Sequence, residues 1–258
     1  DGKERDLIFI EGLRLCEEAL RSRLKIDAVI YSEEIAQKGR AAVFLEEAEK
    51  VSERLASVTE KLLATISYTK TPQGIVALAR RPESGPHRLE MATVEAPLLT
   101  VIHGINNPVN VGAILRSAEA AGVSGVIATT NTSDPFSPKS LRGAMGSAFR
   151  LPIWFGSSYQ DALAWCAEHE IETVCTSVNA ETLYTGVDWT RRQALIVGPE
   201  ATGLTAEEIK SAQLAVRIPM RGEVESLNVA VATAIVLYEA ARQRSQMKRK
   251  HDPRNHTT

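Results

Sequence analysis

From residue 98 to residue 242, short apolar runs alternate with amphipathic stretches, and this alternation restricts what the chain can fold into. The order is LLTVIHG, PVNVGAILRSAEAAG, GVIATT, SPKSLRGAMG, LPIWFG, a helical stretch over 158–168, IETVCTS, QALIVG, and a closing strand and helix over 214–242. Strands separated by helices predict an α/β fold with a mostly parallel sheet and helices on both faces. Such sheets bind ligands beyond the carboxyl ends of their strands. Chemistry is therefore expected in the loops after LLTVIHG, IETVCTS, QALIVG and LAVRIP.

The front of the chain is organised on a smaller scale. EGLRLCEEALRSRL (11–24) spaces Leu13, Cys16, Leu20 and Leu24 as a helix, and IDAVIYS (26–32) reads as a strand. Helices are expected around 40–50 and over 58–67, then a strand in GIVALA. Residues 81–97, RPESGPHRLEMATVEAP, hold three of the eleven prolines and have the composition of a linker. The expected organisation is a small α/β unit over 1–80, a linker over 81–97, a large α/β unit over 98–245, and a basic and polar tail over 246–258. The opening DGKERDLIFIEG begins abruptly, so a segment upstream of it is expected.

Net charge is −2, but it is unevenly spread. Lys and Arg against Asp and Glu count 15 to 15 over 1–88, 9 to 16 over 89–239, and 6 to 1 over 240–258. Overall charge therefore does not announce a nucleic-acid binder, while the tail RQRSQMKRK offers phosphate contacts. No run is long enough for a membrane span, and no signal-peptide pattern opens the sequence. Cys16, Cys166 and Cys175 lack zinc-like spacing, which suits reduced cytoplasmic thiols; Cys166 and His169 alone do not make a metal site.

Three loops carry polar residues in telling places. In GINNPVNVGAILRSAEAAG (104–122), Asn107 is an N-cap, Pro108 suits the first helical position, and Gly122 ends the helix. Ile114, Leu115, Ala118 and Ala121 form its core face. Arg116 lies one turn beyond Gly112, which leaves open surface in front of the guanidinium. In ALIVGPEATGLTAEEI (194–209), a buried strand meets glycines 198 and 203, which let a ligand approach the backbone, and Thr205 with Glu208 has capping-box spacing. The loop is neither a Walker loop nor GxGxxG. In LAVRIPMRGEVESLNVAVATAIVLYEAAR (214–242), a strand ending at Pro219 leads to a helix for which Ser226 is the expected N-cap. Leu227, Val231, Ala234, Ile235 and Tyr238 form its expected core stripe, with Val229 and Val236 making the opposite face apolar too.

Taken together, N-P-V-N-V-G-A-I-L-R-S-A, I-V-G-P-E-A-T-G-L and I-P-M-x-G-x-V-x-S-L-N-V-A-V-A-T-A resemble motifs 1, 2 and 3 of the SpoU/TrmH-type RNA ribose methyltransferases of the SPOUT class. F-I-E-G-L-R-L-C-E-E-A-L and T-P-Q-G-I-V-A-L are similar to the ribosomal-protein-like RNA substrate-binding domain that precedes the catalytic domain in many members. The resemblance implies a C-terminal trefoil knot, S-adenosylmethionine held bent by the knotted loops, and a homodimer with its site at the interface. Helix 226–242 and the motif 1 helix would supply the dimer contact. By motif position, Gly198, Gly203, Ile218, Met220 and Leu227 would contact the cofactor, with Thr176 and Ser177 close by. Asn110, Arg116, Glu200, Ser226 and Asn228 would be the catalytic positions, with no metal.

The implied reaction is transfer of a methyl group to a ribose 2′-hydroxyl, in line with the departing sulfur. Arg116 would hold a phosphate beside the ribose, while Ser226, Asn228 and Glu200 orient the groups around it. Members often carry acidic residues near the start of motif 1, where this chain has His103 and Asn107; His103 is expected to be structural or to contact RNA. A front domain able to grip a stem-loop favours ribosomal RNA. The alternatives are the same reaction on transfer RNA, a catalytically inactive RNA-binding or assembly paralogue, and a base methyltransferase of the same class.

Overall fold

A computed structural model describes residues 7–69, 71–90 and 95–250, the side chains of 248–250 excepted. The front unit comprises β1 (Leu7–Glu11), α1 (Leu13–Arg21), β2 (Ile26–Ser32), α2 (Glu33–Ala36), α3 (Gly39–Glu49), β3 (Arg54–Val58), α4 (Glu60–Ile66) and β4 (Ile75–Arg80). Its sheet runs β1-β4-β2-β3, antiparallel except between β2 and β3. The helix expected over 58–67 starts later, because Val58 ends β3 and the Thr59 hydroxyl caps α4 by accepting from the Leu62 N–H. Strand β3, RLASV, lies at the sheet edge and is mostly exposed, so its sequence carries no core pattern. The stretch read as a linker contains a short helix, α5 (Pro86–Glu90), whose Leu89 is buried and whose preceding Gly85 donates to the Ile153 carbonyl.

Beyond it come β5 (Leu98–Ile102), α6 (Pro108–Ala120), β6 (Gly125–Thr129), α7 (Pro138–Ala144), α8 (Ser147–Arg150), β7 (Ile153–Ser157), α9 (Tyr159–Glu168), β8 (Glu172–Thr176), β9 (Thr182–Leu183), β10 (Gln193–Val197), α10 (Ala206–Ser211), β11 (Leu214–Arg217) and α11 (Val229–Lys250). Seven strands form one sheet in the order β7-β6-β5-β10-β8-β11-β9, and every pairing is parallel. Every residue of β5, β6 and β10 is buried, as expected of a sheet covered on both faces. The chain lays β6 and β7 to one side of β5 and then returns to build the other side. The reversal falls between β5 and β10, and the loops at the carboxyl ends of β8, β10 and β11 shape a crevice beside it.

Helix α6 begins as its sequence predicts: the Asn107 side chain accepts from the Val109 N–H, and Pro108 occupies the first turn. Gly112 has a different task from the one expected. A Cβ there would lie 2.3 Å from the Ser140 carbonyl oxygen and 2.8 Å from the Gly143 Cα, so this glycine lets α6 and α7 pack backbone to backbone. It does not clear space for Arg116.

Two expectations for the last helix need correction. Ser226 is not its N-cap; Asn228 is, its Oδ1 accepting from the N–H groups of Ala230 (3.0 Å) and Val231 (3.3 Å). The core face is Val229, Ala230, Thr233, Val236, Leu237 and Ala240, which pack towards α6 and β10. The expected stripe is instead the outer face, with Val231 49% and Tyr238 56% exposed. At its far end the helix is pinned. Arg244 donates to the carbonyls of Trp189, Ala96 and Arg191, and Gln243 bridges the Val187 carbonyl and the Trp189 N–H. Arg242, read with the basic tail, pairs with Glu239. The tail beyond residue 250 lies outside the described residues.

Candidate active site

The loops after β8, β10 and β11 enclose a cavity of about 370 Å³. Thr176 and Ser177 arrive from the end of β8, and Gly198 and Gly203 from the loop after β10. Ile218, Met220 and Leu227 come from the segment joining β11 to α11, so all seven residues expected at the cofactor line one cavity. Leu204, Val216 and Ile209 give it apolar walls, and Ser177 is held by its backbone N–H donating to the Val216 carbonyl (2.9 Å). Gly198 is needed for space. A Cβ there would lie 2.7 Å from the Leu204 side chain and 3.0 Å from its backbone nitrogen.

Three of the five expected catalytic residues form a chain beside this cavity. Asn110, 8% exposed on α6, donates from Nδ2 to Glu200 Oε1 and accepts at Oδ1 from Asn228 Nδ2 (3.2 Å). One side chain thus ties the loop after β10 to the head of α11, joining segments 118 and 90 residues away in sequence. Glu200 and Ser226 line the cavity and are themselves exposed. Arg116 is not brought to it. A helix turns by ~100° per residue, so Arg116 points roughly 240° round α6 from Asn110. It is exposed and, among the described residues, makes no hydrogen bond or ion pair.

His103 sits in a hydrogen-bond network between β6 and α10. Its ring lies between Thr129 Oγ1 (3.0 Å from Nδ1) and Glu208 Oε1 (3.0 Å from Nε2), with the Tyr159 ring centroid at 4.5 Å. Glu208 completes the capping box with Thr205, as the spacing predicts. Burial pushes the Glu208 carboxyl up, but the Thr205 N–H and His103 outweigh it and hold it below its ordinary range. This network anchors the start of α10, whose Ile209 is part of the cavity wall.

Sequence reasoning missed several lining residues, among them Asn179, Leu204, Arg217 and Glu225. Asn179 and Leu204 lie in loops that the strand-end rule had already marked. Arg217 carried no signal; it donates to the Ala180 carbonyl (3.2 Å) and so braces the loop after β8. The cysteines are free and buried, which pushes Cys166 to about 12 and Cys175 to about 11. The His169 ring turns back to the Trp165 carbonyl (2.8 Å). Among the described residues no cluster of His, Cys, Asp or Glu is arranged to hold a metal ion, and no helix is long and apolar enough to cross a membrane.

The profile of the SpoU rRNA Methylase family matches residues 97–238, and that of the MRM3-like substrate binding domain matches residues 3–77. The chain is 32% identical over 232 residues to the 23S rRNA (guanosine(2553)-2'-O)-methyltransferase RlmP of Bacillus subtilis, covering 89% of this chain and 86% of the relative. It is 35% identical over 217 residues to the 23S rRNA (guanosine-2'-O-)-methyltransferase RlmB of Bordetella pertussis, covering 83% and 89%. The solved structure of the SpoU methyltransferase AviRb from Streptomyces viridochromogenes, in complex with the cofactor AdoMet, superposes with a TM-score of 0.83 at 26% identity, covering 94% of this chain and 92% of that one. Two motif loops that line one cavity, a third bonded to them through Asn110, a matching profile and relatives aligned over most of their length lead to one assignment: the chain belongs to the SpoU rRNA methylase family.

Proposed function

We propose that the protein transfers a methyl group from S-adenosylmethionine to a ribose 2′-hydroxyl of ribosomal RNA. The observation that carries this reading is that the motif 2 and motif 3 loops line one cavity, while Asn110 of motif 1 is tied to both through Glu200 and Asn228. The cavity suits the cofactor: Leu204, Val216 and Ile218 would give a purine apolar walls, and Gly198 lets Leu204 pack into its place in that wall. When bound, S-adenosylmethionine supplies an electrophilic methyl group on a sulfonium. Relatives named as 23S rRNA 2'-O-methyltransferases support ribosomal RNA as the substrate.

The chain's own residues have distinct tasks in this reading. Gly198, Gly203, Ile218, Met220 and Leu227 hold the cofactor, with Thr176 and Ser177 beside it. Asn110 keeps Glu200 and Asn228 in register, and Ser226 orients the ribose at the cavity mouth. Positioning of this kind supplies much of the acceleration. The Arg116 guanidinium holds an RNA phosphate and polarises the 2′-hydroxyl, whose proton leaves to a phosphate oxygen or to water. Because Arg116 faces away from its own cavity, it serves the cavity of a second subunit in a homodimer formed through α6 and the exposed face of α11. The trefoil knot of the class, a cytoplasmic location, and the division into an RNA-gripping unit (1–80), a joining segment (81–97), a methyltransferase unit (98–245) and a basic tail (246–258) belong to the same proposal.

The test uses methyl-labelled cofactor, ribosomal subunits and total RNA, followed by digestion to nucleosides. Wild type should yield a 2′-O-methylated nucleoside from ribosomal RNA. Arg116→Ala should lower kcat/KM by roughly a hundredfold or more, the scale of a lost transition-state contact. Its melting temperature should not change, since among the described residues of its own chain the side chain makes no hydrogen bond or ion pair. Cofactor binding without transfer to any RNA would favour an inactive paralogue, and a methylated base would overturn the ribose reading.

A further inference from the structure

The front unit and the methyltransferase unit are joined by more than the segment between them. Ile8, Ile10 and Ile75 of the front unit belong to the same buried apolar cluster as Leu98, Leu115 and Phe136, and α7 lies against β1. Two arginines hold across the junction, one of them, Arg81, as the first residue of the joining segment after β4. Arg150, at the end of α8, donates from Nη1 to Glu18 of α1 (2.6 Å), and from Nε and Nη2 to Glu119 of α6, which also accepts from the Ser147 hydroxyl (2.6 Å). Gly146 gives this contact its room, since a Cβ there would lie 2.8 Å from Glu18 Oε2 and 2.9 Å from Arg150 Nη1. Arg81, the residue after β4, donates from both Nη atoms to both oxygens of Asp134 (2.8 and 2.7 Å). Its guanidinium lies 4.7 Å from the Phe136 ring centre and 5.7 Å from that of Phe155.

Glu119 lies one turn beyond Arg116 on α6, so Arg150 ties the front unit to the helix that carries the proposed phosphate-holding residue. We propose that Arg150 and Arg81 lock the front unit in place as a fixed ruler, so that the fold itself sets the spacing between the gripped RNA and the reacting ribose. This rests on the RNA methyltransferase reading. A tethered unit would let RNAs of many shapes reach the cavity. A locked one admits only those whose gripped element lies at the fixed distance from the target ribose, because a reactant held out of place loses rate steeply. Isolated exposed ion pairs hold little. Here one guanidinium spans two carboxylates on different helices, and the other is bidentate and flanked by aromatic rings, which makes each a directional contact.

The test removes only bonds that cross the junction, with Glu18→Ala and Arg81→Ala combined. The Arg150–Glu119 pair inside the methyltransferase unit is then untouched. Spin labels go on cysteines placed at Val43, which is 57% exposed, and at exposed Glu168, with labelled protein diluted into unlabelled to isolate distances within one chain. The three native cysteines are buried. Without the two substitutions, the labelled protein should give one narrow distance. The double variant should give a broad distribution, and its kcat/KM for RNA should fall by roughly tenfold to a hundredfold. Its cofactor affinity should stay within about twofold, because distant sites behave independently. Should the double variant fail to fold, Arg81→Lys with Arg150→Lys keeps the charge without the bidentate geometry and should broaden the distance less. A distance equally narrow in both proteins, or already broad without the substitutions, would overturn the lock. A narrow distance in a protein that methylates no RNA would overturn the enzymatic reading and the ruler's purpose, while the lock would stand.

Discussion

Replacing Gly198 with alanine would set a methyl group 2.7 Å from the Leu204 side chain and 3.0 Å from its backbone nitrogen. The side chain can turn away, but the backbone nitrogen moves only if the loop after β10 moves with it. Overpacking of this kind costs about 1–3 kcal/mol. Because the strained loop forms one wall of the cavity, cofactor affinity should fall by roughly tenfold to a hundredfold, read by calorimetric titration. An unchanged dissociation constant would mean that the loop yields freely and that the glycine is not required for binding. Local chemistry made several residues legible in the sequence: Asn107 with Pro108, and Thr205 with Glu208, depend on neighbours two or three positions away. Ser226 misled because two polar residues, at 226 and 228, both suit a helix start. The choice was made by Asn110, 118 residues distant, whose Oδ1 takes the Asn228 amide and so fixes where the helix begins.

Among the elements, α11 combines a buried face with an exposed apolar one. Val236, Leu237 and Ala240 are fully buried, while Val231 and Tyr238 are about half exposed on the other side. Helical periodicity alone could not say which stripe faces the core, since both are apolar. The packing against α6 and β10 decides it. In the proposed dimer the outer stripe is covered by the second subunit, so Val231→Glu with Tyr238→Glu should give a folded monomer in sedimentation analysis, with methyl transfer lost and far-UV circular dichroism unchanged. A dimer that survives both charges would place the contact elsewhere. Strand β3 and helix α5 escaped the sequence for opposite reasons. The first is an edge strand with little to bury, and the second is one short turn in a proline-rich stretch, anchored by Leu89.

For the molecule as a whole, stability should depend on pH in a predictable direction. The Arg150 guanidinium holds the Glu119 carboxyl below its ordinary range, Arg40 does the same for Glu17, and Arg242 for Glu239. Groups depressed in the folded state stabilise it above their unfolded value, about 4.3 for glutamate, and lose that contribution as pH falls through the folded one. The buried thiols act at the other end: burial raises all three, so they favour the folded state below about 8.5 and cease to as pH rises further. Scanning calorimetry should therefore show a melting temperature that is level between about pH 5 and 8 and falls on either side. A melting temperature constant down to about pH 3 would show that these ion pairs contribute nothing.

The position of β10 also dictates an order of events during synthesis. This strand lies between β5 and β8 and pairs with both, yet it is made after them. Until residue 197 has left the ribosome, the emerging sheet is the β7-β6-β5 piece with β8 and β9 still unpaired, and a gap where its centre will be. The cavity waits longer still, because its last wall is the segment after β11 together with Val229 and Ala232 in the first turn of α11. Closing contacts so far apart along the chain makes folding slow and leaves apolar edges open in the interval. A nascent chain of this kind completes this cavity only once the start of α11 has been made, and any message truncated before that point yields a product that never had it.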